Sequence, residues 1–192
     1  MNSEQFQDTI HRFIELYGDR TEGIGDEIHA GLAWIEKTQF VLIARGETTA
    51  LQPPSWRRVS RLFDFAQQFR RPILLWDVPF QVDMTGSNTL LHRSAAQSSR
   101  LSLLKLTVPI IGVFETLGLE PGFAPIDAAV LLQQRETDIQ RETSPILVKV
   151  ANNPSHLRAD ILELLSDLST LPVEKLIDQR LKSIRQAIGD VH

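Results

Sequence analysis

Short apolar runs alternate with longer amphipathic segments along the chain. The apolar runs cover residues 40–44, 71–79, 107–116 and 145–151, and they predict strands that are buried on both faces. A hairpin is predicted about a turn at Glu36–Gln39, next to the first of these strands. Strands that alternate with helices are typical of an α/β fold with mostly parallel pairing.

Helical spacing of apolar residues predicts helices before and between the strands. The first is predicted over residues 4–18, and Gly18 ends it. The second is predicted to begin at the capping residue Ser55, after two prolines that belong to the preceding loop. The third is predicted over residues 89–106, and residues 127–134 form a further short apolar element.

Two amphipathic helices are predicted after the last strand, over residues 154–170 and 172–189. Their apolar stripes consist of Leu157, Ile161, Leu164, Leu165 and Leu168 in one helix and of Leu176, Ile177, Leu181, Ile184 and Ile188 in the other. The chain thus divides into a core, residues 1–152, and a helical tail, residues 153–192. The pattern alone allows the stripes to pack on the core or to build an oligomer interface. Because a compact core has little free surface on which to bury two apolar stripes, we expect a homodimer or a complex with a partner chain.

The composition excludes several classes of function. A net charge of −4 over 192 residues gives no electrostatic basis for binding nucleic acid or an anionic membrane. The absence of cysteine excludes disulfides, thiolate zinc sites and a cysteine nucleophile. The five histidines never occur at metal-ligand spacing, so no metal is expected. The polar N-terminus and the lack of a membrane-length apolar run predict a cytoplasmic protein.

Four collinear segments resemble the carboxyltransferase α subunit of acetyl-CoA carboxylase. They are "FIELYGDRTEGIGDEIHAGLAWI", "SWRRVSRLFDFAQQFRRPILLWDVP", "VPIIGVFE" and a tail that begins "NNPSHLRADILELL". No single motif is specific, but the four matches occur in the right order and cover most of the chain. The resemblance implies a crotonase-type α/β fold, a spiral of ββα units with a C-terminal helical tail. The β subunit of that family often carries a four-cysteine zinc ribbon, so the absence of cysteine agrees better with α.

The resemblance also implies a reaction and its partners. The family reaction is carboxyl transfer from carboxybiotin to acetyl-CoA, which gives malonyl-CoA. It implies acyl-CoA and carboxybiotin as ligands, the biotin being attached to a partner carrier protein, with no covalently bound cofactor on this chain. It further implies a β-like partner chain that completes the site.

The loops expected to form the active site depart from the family pattern. After a strand-end Asp-Thr-Pro the family has glycines, whereas this chain has Phe80 and Met84, and only Gly86 matches. The later glycine-rich loop keeps Gly118 and Gly122 but places a leucine, a glutamate and a proline between them. Backbone N–H groups at such turns stabilise an oxyanion, and losing one costs about 3–4 kcal/mol. Carboxyl transfer is therefore expected to be weakened or lost, with Gly118 and Gly122 the remaining candidates for the oxyanion hole.

Further site candidates come from charged residues at strand and helix ends. Glu115 ends a strand and is a candidate general base, with a structural or solvent-exposed role as the alternative. The substrate-binding candidates are Asp77, Phe80, Gly86, Arg57 and Arg58. Asp77 either contacts substrate and orients its loop, or caps the following backbone N–H groups. Arg57 and Arg58 lie near a helix start, where cations oppose the helix dipole, so they are candidates for the phosphates of CoA.

Two other functions remain open from the sequence. The first is a non-catalytic binding or regulatory subunit of a carboxyltransferase complex. The second is another acyl-CoA reaction, such as hydration or malonyl decarboxylation, with Glu115 as the acting residue.

Overall fold

A computed structural model of the chain describes residues 8–17, 28–46, 51, 53–78, 89–114, 125–132 and 146–189. Within these ranges the strands are β1 (Arg12–Glu15), β2 (Ile28–Ile35), β3 (Thr38–Arg45), β4 (Ile73–Trp76), β5 (Ile110–Phe114), β6 (Ala128–Leu132) and β7 (Leu147–Ala151). The helices in the same ranges are α1 (Pro53–Gln68), α2 (Thr89–Lys105), α3 (Pro154–Ser169) and α4 (Val173–Gly189).

The described strands form one mixed sheet, in which each strand pairs with its neighbours along the chain. β1, β2 and β3 are antiparallel, whereas β3 to β7 are parallel. α1 connects β3 to β4 and α2 connects β4 to β5, as the sequence predicts. The hairpin of β2 and β3 is confirmed, and the short apolar element after residue 126 is strand β6.

Alternate side chains of the central strands enter two separate cores. On β4, Ile73 and Leu75 face one core, and Leu74 and Trp76 face the other. The helix residues in the first core are Trp56, Val59, Leu62, Phe63, Ala66, Ala96 and Leu103, all from α1 and α2. α3 covers the opposite face of the sheet. The sheet is therefore covered by helices on both faces, which explains why its strands read as continuous apolar runs.

The predicted first helix is wrong over Arg12–Glu15, which form strand β1. Of its predicted apolar face, Ile14 and Tyr17 are 39% and 69% exposed. Phe13 and Leu16 instead pack against the two opposite cores. Backbone pairing with β2 and this two-sided packing override the helical spacing of the apolar residues.

The start of helix α1 also differs from the prediction. α1 begins at Pro53, so Ser55 lies inside its first turn, where it is buried, and is not the capping residue. A proline suits the first turn because its missing N–H would have no intrahelical partner there. The two prolines therefore open the helix, although the sequence suggested that they belong to the loop before it.

The two tail helices bury their predicted stripes to different extents. The first stripe, on α3, is buried against the sheet in the same chain. On α4, Leu176 joins this core and Ile177 and Ile184 are half-buried, whereas Leu181 is 37% exposed. The stripe of α3 thus needs no partner chain.

The buried Arg180 of α4 fixes the tail to the sheet. Its Nε and Nη2 donate to the two carboxylate oxygens of Asp127, at 2.7 and 2.6 Å. Its Nη1 and Nη2 donate to the carbonyls of Leu106 and Val108, at 2.6 and 2.7 Å. Asp127 also accepts from the N–H of Ile110 at 2.7 Å. Burial raises the pKa of the Asp127 carboxyl, and the hydrogen bonds and charge of Arg180 and the Ile110 N–H oppose this rise.

Candidate active site

The carboxyl ends of β3, β4 and β5 meet at one edge of the sheet. The parallel register places Ala44 beside Trp76 and Trp76 beside Val113. Arg45, Asp77 and Phe114, the residues that follow these three, therefore lie on adjacent strand ends. In α/β sheets ligands bind at the carboxyl edge of the strands. We call this part of the molecule the carboxyl edge.

Asp77 turns the chain sharply at the end of β4. Its side chain is fully buried, and its φ of 49° lies in the left-handed region, which aspartate tolerates better than most residues. Its N–H donates to the carbonyl of Val113 at 2.8 Å, which extends the β4–β5 ladder by one residue. One carboxylate oxygen lies 3.4 Å from Nη2 of Arg45. Asp77 therefore joins two strand ends at the carboxyl edge, and its role in orienting the following loop stays a prediction.

Arg58 holds the β1–β2 pair against α1. Its Nε donates to the carbonyl of Leu16 at 2.7 Å, and its Nη2 donates to the carbonyl of Ala30 at 2.8 Å. Nη2 also contacts a carboxylate oxygen of Glu15 at 3.0 Å, and the guanidinium lies over the ring of Tyr17. The side chain is buried and its donors serve the fold, which favours a structural role over the predicted contact with CoA phosphates.

Arg57, the neighbouring residue on α1, has the opposite environment. It is exposed, whereas Arg58 is buried. Because α1 runs from the end of β3 back to the start of β4, its N-terminal turns lie towards the carboxyl edge. Arg57 is therefore placed where a predicted phosphate contact is geometrically possible.

The remaining predicted site residues lie outside the described residues. They are the catalytic candidates Glu115, Gly118 and Gly122 and the substrate-binding candidates Phe80 and Gly86. Their segments follow β4 and β5 in the sequence, and both of these strands end at the carboxyl edge. Their roles stay predictions.

Asp127, another acid that adjoins a strand, lies at the opposite edge of the sheet. It precedes β6 and bonds the N–H of Ile110, where β5 begins. Its carboxylate is engaged by Arg180. It is thus a structural acid at the amino edge of the parallel strands.

Sequence reasoning missed two arginines. Arg180 falls at a buried position one helical turn from Leu176, and a cation inside an apolar stripe was the available signal for a buried acidic partner. Arg45 ends the apolar strand β3, and only the parallel register shows that its neighbour is Asp77. A pairing across 32 residues leaves no local pattern in the sequence.

The described residues contain neither a metal-ligand cluster nor a membrane-spanning helix. Among the described residues, no group of three or more His, Asp or Glu side chains is arranged to hold a metal ion. No helix in the described part of the chain is both long and apolar enough to cross a membrane.

Solved structures define the fold of this chain. One chain of a Pseudomonas malonate decarboxylase hetero-tetramer, determined with coenzyme A, superposes with a TM-score of 0.64 at 14% identity, over 97% of this chain and 94% of that chain. A single-chain, multi-domain long-chain acyl-CoA carboxylase gives a TM-score of 0.62 at 15% identity, over 85% of this chain and 22% of that chain. At these identities the structures show the fold alone. This chain has the crotonase-type α/β fold of such enzymes, as the resemblance implied.

Sequence comparison gives the particular relatives. The α subunit of the acetyl-coenzyme A carboxylase carboxyl transferase of Vesicomyosocius okutanii is 27% identical over 206 residues, which cover 98% of this chain and 62% of the relative. The α subunit of Clostridium perfringens is 28% identical over 145 residues, which cover 69% of this chain and 54% of the relative. No family model matches the chain. The predicted resemblance to carboxyltransferase α subunits is confirmed, and the chain spans between about half and two-thirds of the length of these relatives.

Proposed function

We propose that the chain is an acyl-CoA-binding subunit of a carboxyltransferase complex, of the α type. The observation that carries this proposal is the similarity to α subunits along 98% of the chain. The acceptor would be acetyl-CoA and the product malonyl-CoA, with carboxybiotin supplied by a partner carrier protein. A β-like chain would complete the site. Because the chain is much shorter than its relatives, their activity comes to it only as a proposal.

The carboxyl edge supports ligand binding more directly than catalysis. Asp77 and Arg45 join the ends of β3 and β4, and Arg57 is exposed on the helix that begins near this edge. The residues proposed for catalysis are Glu115, Gly118 and Gly122. Bulky residues replace family glycines in the loop after β4, which limits close approach of backbone N–H groups to a substrate. We therefore propose that the chain binds acyl-CoA with weakened or lost transfer of its own.

Isothermal titration calorimetry with acetyl-CoA and malonyl-CoA tests this function. The full chain is titrated alone and together with a carboxyltransferase β subunit from the same source. We expect both esters to bind, and turnover of malonyl-CoA or carboxylation with free biotin to be absent for the chain alone. If the isolated chain does turn over substrate and a Gly118 substitution abolishes this activity, the proposal that its carboxyl transfer is weakened or lost is contradicted. Failure of both esters to bind, with or without the β subunit, would overturn the proposal.

A second candidate is decarboxylation of a malonyl thioester. It is favoured by the malonate decarboxylase chain, which this chain matches over nearly the full length of both. Loss of CO₂ from a malonyl ester leaves an enolate, so it needs the same kind of oxyanion stabilisation as carboxyl transfer. Release of CO₂ from malonyl-CoA by the complex in the absence of biotin would select this reaction. Binding of both esters with neither reaction would select the non-catalytic, regulatory subunit.

A further inference from the structure

Arg45 presents a cation at the carboxyl edge. It is the last residue of β3, and its side chain is 21% exposed, so the guanidinium lies between the core and the surface. The strand places it directly beside Asp77, at the end of β4. Arg45 thus lies beside the end of β4, and the two candidate active-site segments follow β4 and β5 in the sequence.

The buried Asp77 contacts the guanidinium of Arg45. The contact joins Nη2 of Arg45 to one oxygen of Asp77 at 3.4 Å, which is long for a charge-assisted hydrogen bond. A guanidinium carries five N–H donors on three nitrogens, in a planar fork that matches a carboxylate. Among the described residues, the contact with Asp77 engages one of these nitrogens. Arg45 is thus oriented by one carboxylate and can bind another.

The other arginines near α1 differ from Arg45 in this respect. The donors of Arg58 serve main-chain carbonyls of the β1–β2 region and a carboxylate of Glu15. Arg57 is exposed, so it could meet a flexible phosphate. Arg45 combines partial burial, which strengthens a charge–charge contact, with a fixed orientation.

We propose that Arg45 binds the free carboxylate of a malonyl-type acyl-CoA, and that Asp77 positions it. The proposal rests on the proposed function, because it assigns a specificity residue within that acyl-CoA site. Malonyl-CoA and acetyl-CoA differ by this carboxylate alone. Arg45 therefore distinguishes the carboxylated ester from the uncarboxylated one, while contacts to the CoA portion serve both.

The test measures the dissociation constants of malonyl-CoA and acetyl-CoA for the full chain and for variants of it. Arg45→Gln should weaken malonyl-CoA binding by about tenfold or more, the change expected for losing one charge-assisted contact, and leave acetyl-CoA binding within about twofold. Arg45→Lys keeps the charge but loses the planar fork, so it should restore part of the preference. The matched control is Arg71→Gln, an exposed arginine before the start of β4, at the opposite edge of the sheet, and it should change neither constant.

Arg45→Gln removes a contact of the buried Asp77 carboxylate, so this variant needs a folding control. The double variant Arg45→Gln/Asp77→Asn also removes the charge of Asp77, and it should show the same loss of preference for malonyl-CoA. Thermal unfolding of each variant reports whether the fold is kept. An unchanged ratio of the two dissociation constants in Arg45→Gln and in the double variant would overturn this inference and leave the proposed function standing. If the unmodified chain binds neither ester, both fail.

Discussion

The adjacent arginines 57 and 58 of α1 differ in burial and in hydrogen bonding. Arg58 bonds the carbonyls of Leu16, Ile28 and Ala30, whereas Arg57 is exposed. Arg58→Ala should lower the free energy of unfolding by about 3 kcal/mol or more, because buried carbonyls lose their donors. Arg57→Ala should change stability by less than about 0.5 kcal/mol. Urea denaturation of both variants measures the difference.

The same two variants test whether Arg57 contacts the CoA phosphates and whether Arg58 supports the fold. Arg57→Ala should weaken acetyl-CoA and malonyl-CoA alike if it meets the CoA phosphates. An Arg58→Ala variant as stable as the unsubstituted chain would show that its hydrogen bonds do not support the fold.

The buried pair of Asp127 and Arg180 makes a second prediction at this scale. Arg180→Met should destabilise the chain by about 3–5 kcal/mol, because it leaves the Asp127 carboxylate buried without its partner. Asp127→Asn/Arg180→Met should recover about 1–2 kcal/mol of that loss, since the stranded charge is gone. Thermal or urea unfolding of the two variants decides this, and equal stabilities would show that the charge at Asp127 is not the source of the cost.

How much of the site could be read from the sequence depends on the range of each contact. Asp77 was identified because it ends a strand, which is a local feature. The structural contacts of Arg58 could not be read from the sequence, because its partners lie 42 and 28 residues away, in a region whose pairing has no local signal. Arg45 was missed for the same reason, since only the parallel register brings it to Asp77.

At the scale of elements, a glycine decides whether β1 can pair. A Cβ on Gly31 would collide with the backbone carbonyl of Ile14 and lie 2.9 Å from the backbone nitrogen of Leu16. Backbone atoms of a paired strand cannot move aside without breaking the pairing. Gly31→Ala should therefore detach β1 and cost about 3 kcal/mol.

Gly112→Ala is the matched control on β5. Its Cβ would lie 2.6 Å from the ring of Phe114 and 3.0 Å from Cδ1 of Ile126, which are side-chain atoms that can rotate away. It should cost about 1–2 kcal/mol. Hydrogen exchange should show loss of protection in β1 for Gly31→Ala only. Retained protection there would mean that the β1–β2 pair tolerates the added methyl group.

Strands and helices with strong patterns were predictable, and the edge elements were not. β4, β5 and the tail helices have long apolar runs or stripes that leave one interpretation. β1 is a four-residue edge strand whose identity comes from pairing with β2, so its own spacing was misleading. α1 showed that a proline pair can open a helix as well as end a loop.

At the scale of the whole molecule, α3 is the third layer of the fold. Its residues share a core with Leu74, Trp76 and Ile111 of the sheet. A chain that ends at Asn152 would leave that face uncovered, so we expect it to show no cooperative thermal transition. A chain that ends at Leu171 keeps α3 but lacks Arg180, and it should fold with reduced stability. A cooperative transition in the shorter chain would contradict this layer assignment.

The last prediction concerns association between chains. The structure reduces the candidate interface region from the whole tail to its final helix, α4. α3 buries its stripe within the chain, whereas α4 leaves Leu181 partly exposed beside the half-buried Ile184. Burying such surface between chains would contribute roughly 25 cal/mol per Å², against a large cost of association. We therefore expect a homodimer or a complex with a β-like chain, with α4 at or beside the interface.

Light scattering of the full chain at micromolar concentration, alone and with a carboxyltransferase β subunit, measures this association. Leu181→Lys should weaken it, because a charge would enter the apolar contact. Ile14→Lys is the matched control, since Ile14 is 39% exposed, close to the 37% of Leu181, and lies on β1, the first strand in the order of the sheet. A chain that stays monomeric in both conditions would show that α4 has no partner. If the two substitutions weaken association equally, the interface does not lie at α4. An interface formed by α4 would be weakened more by a substitution on the apolar stripe of α4 itself.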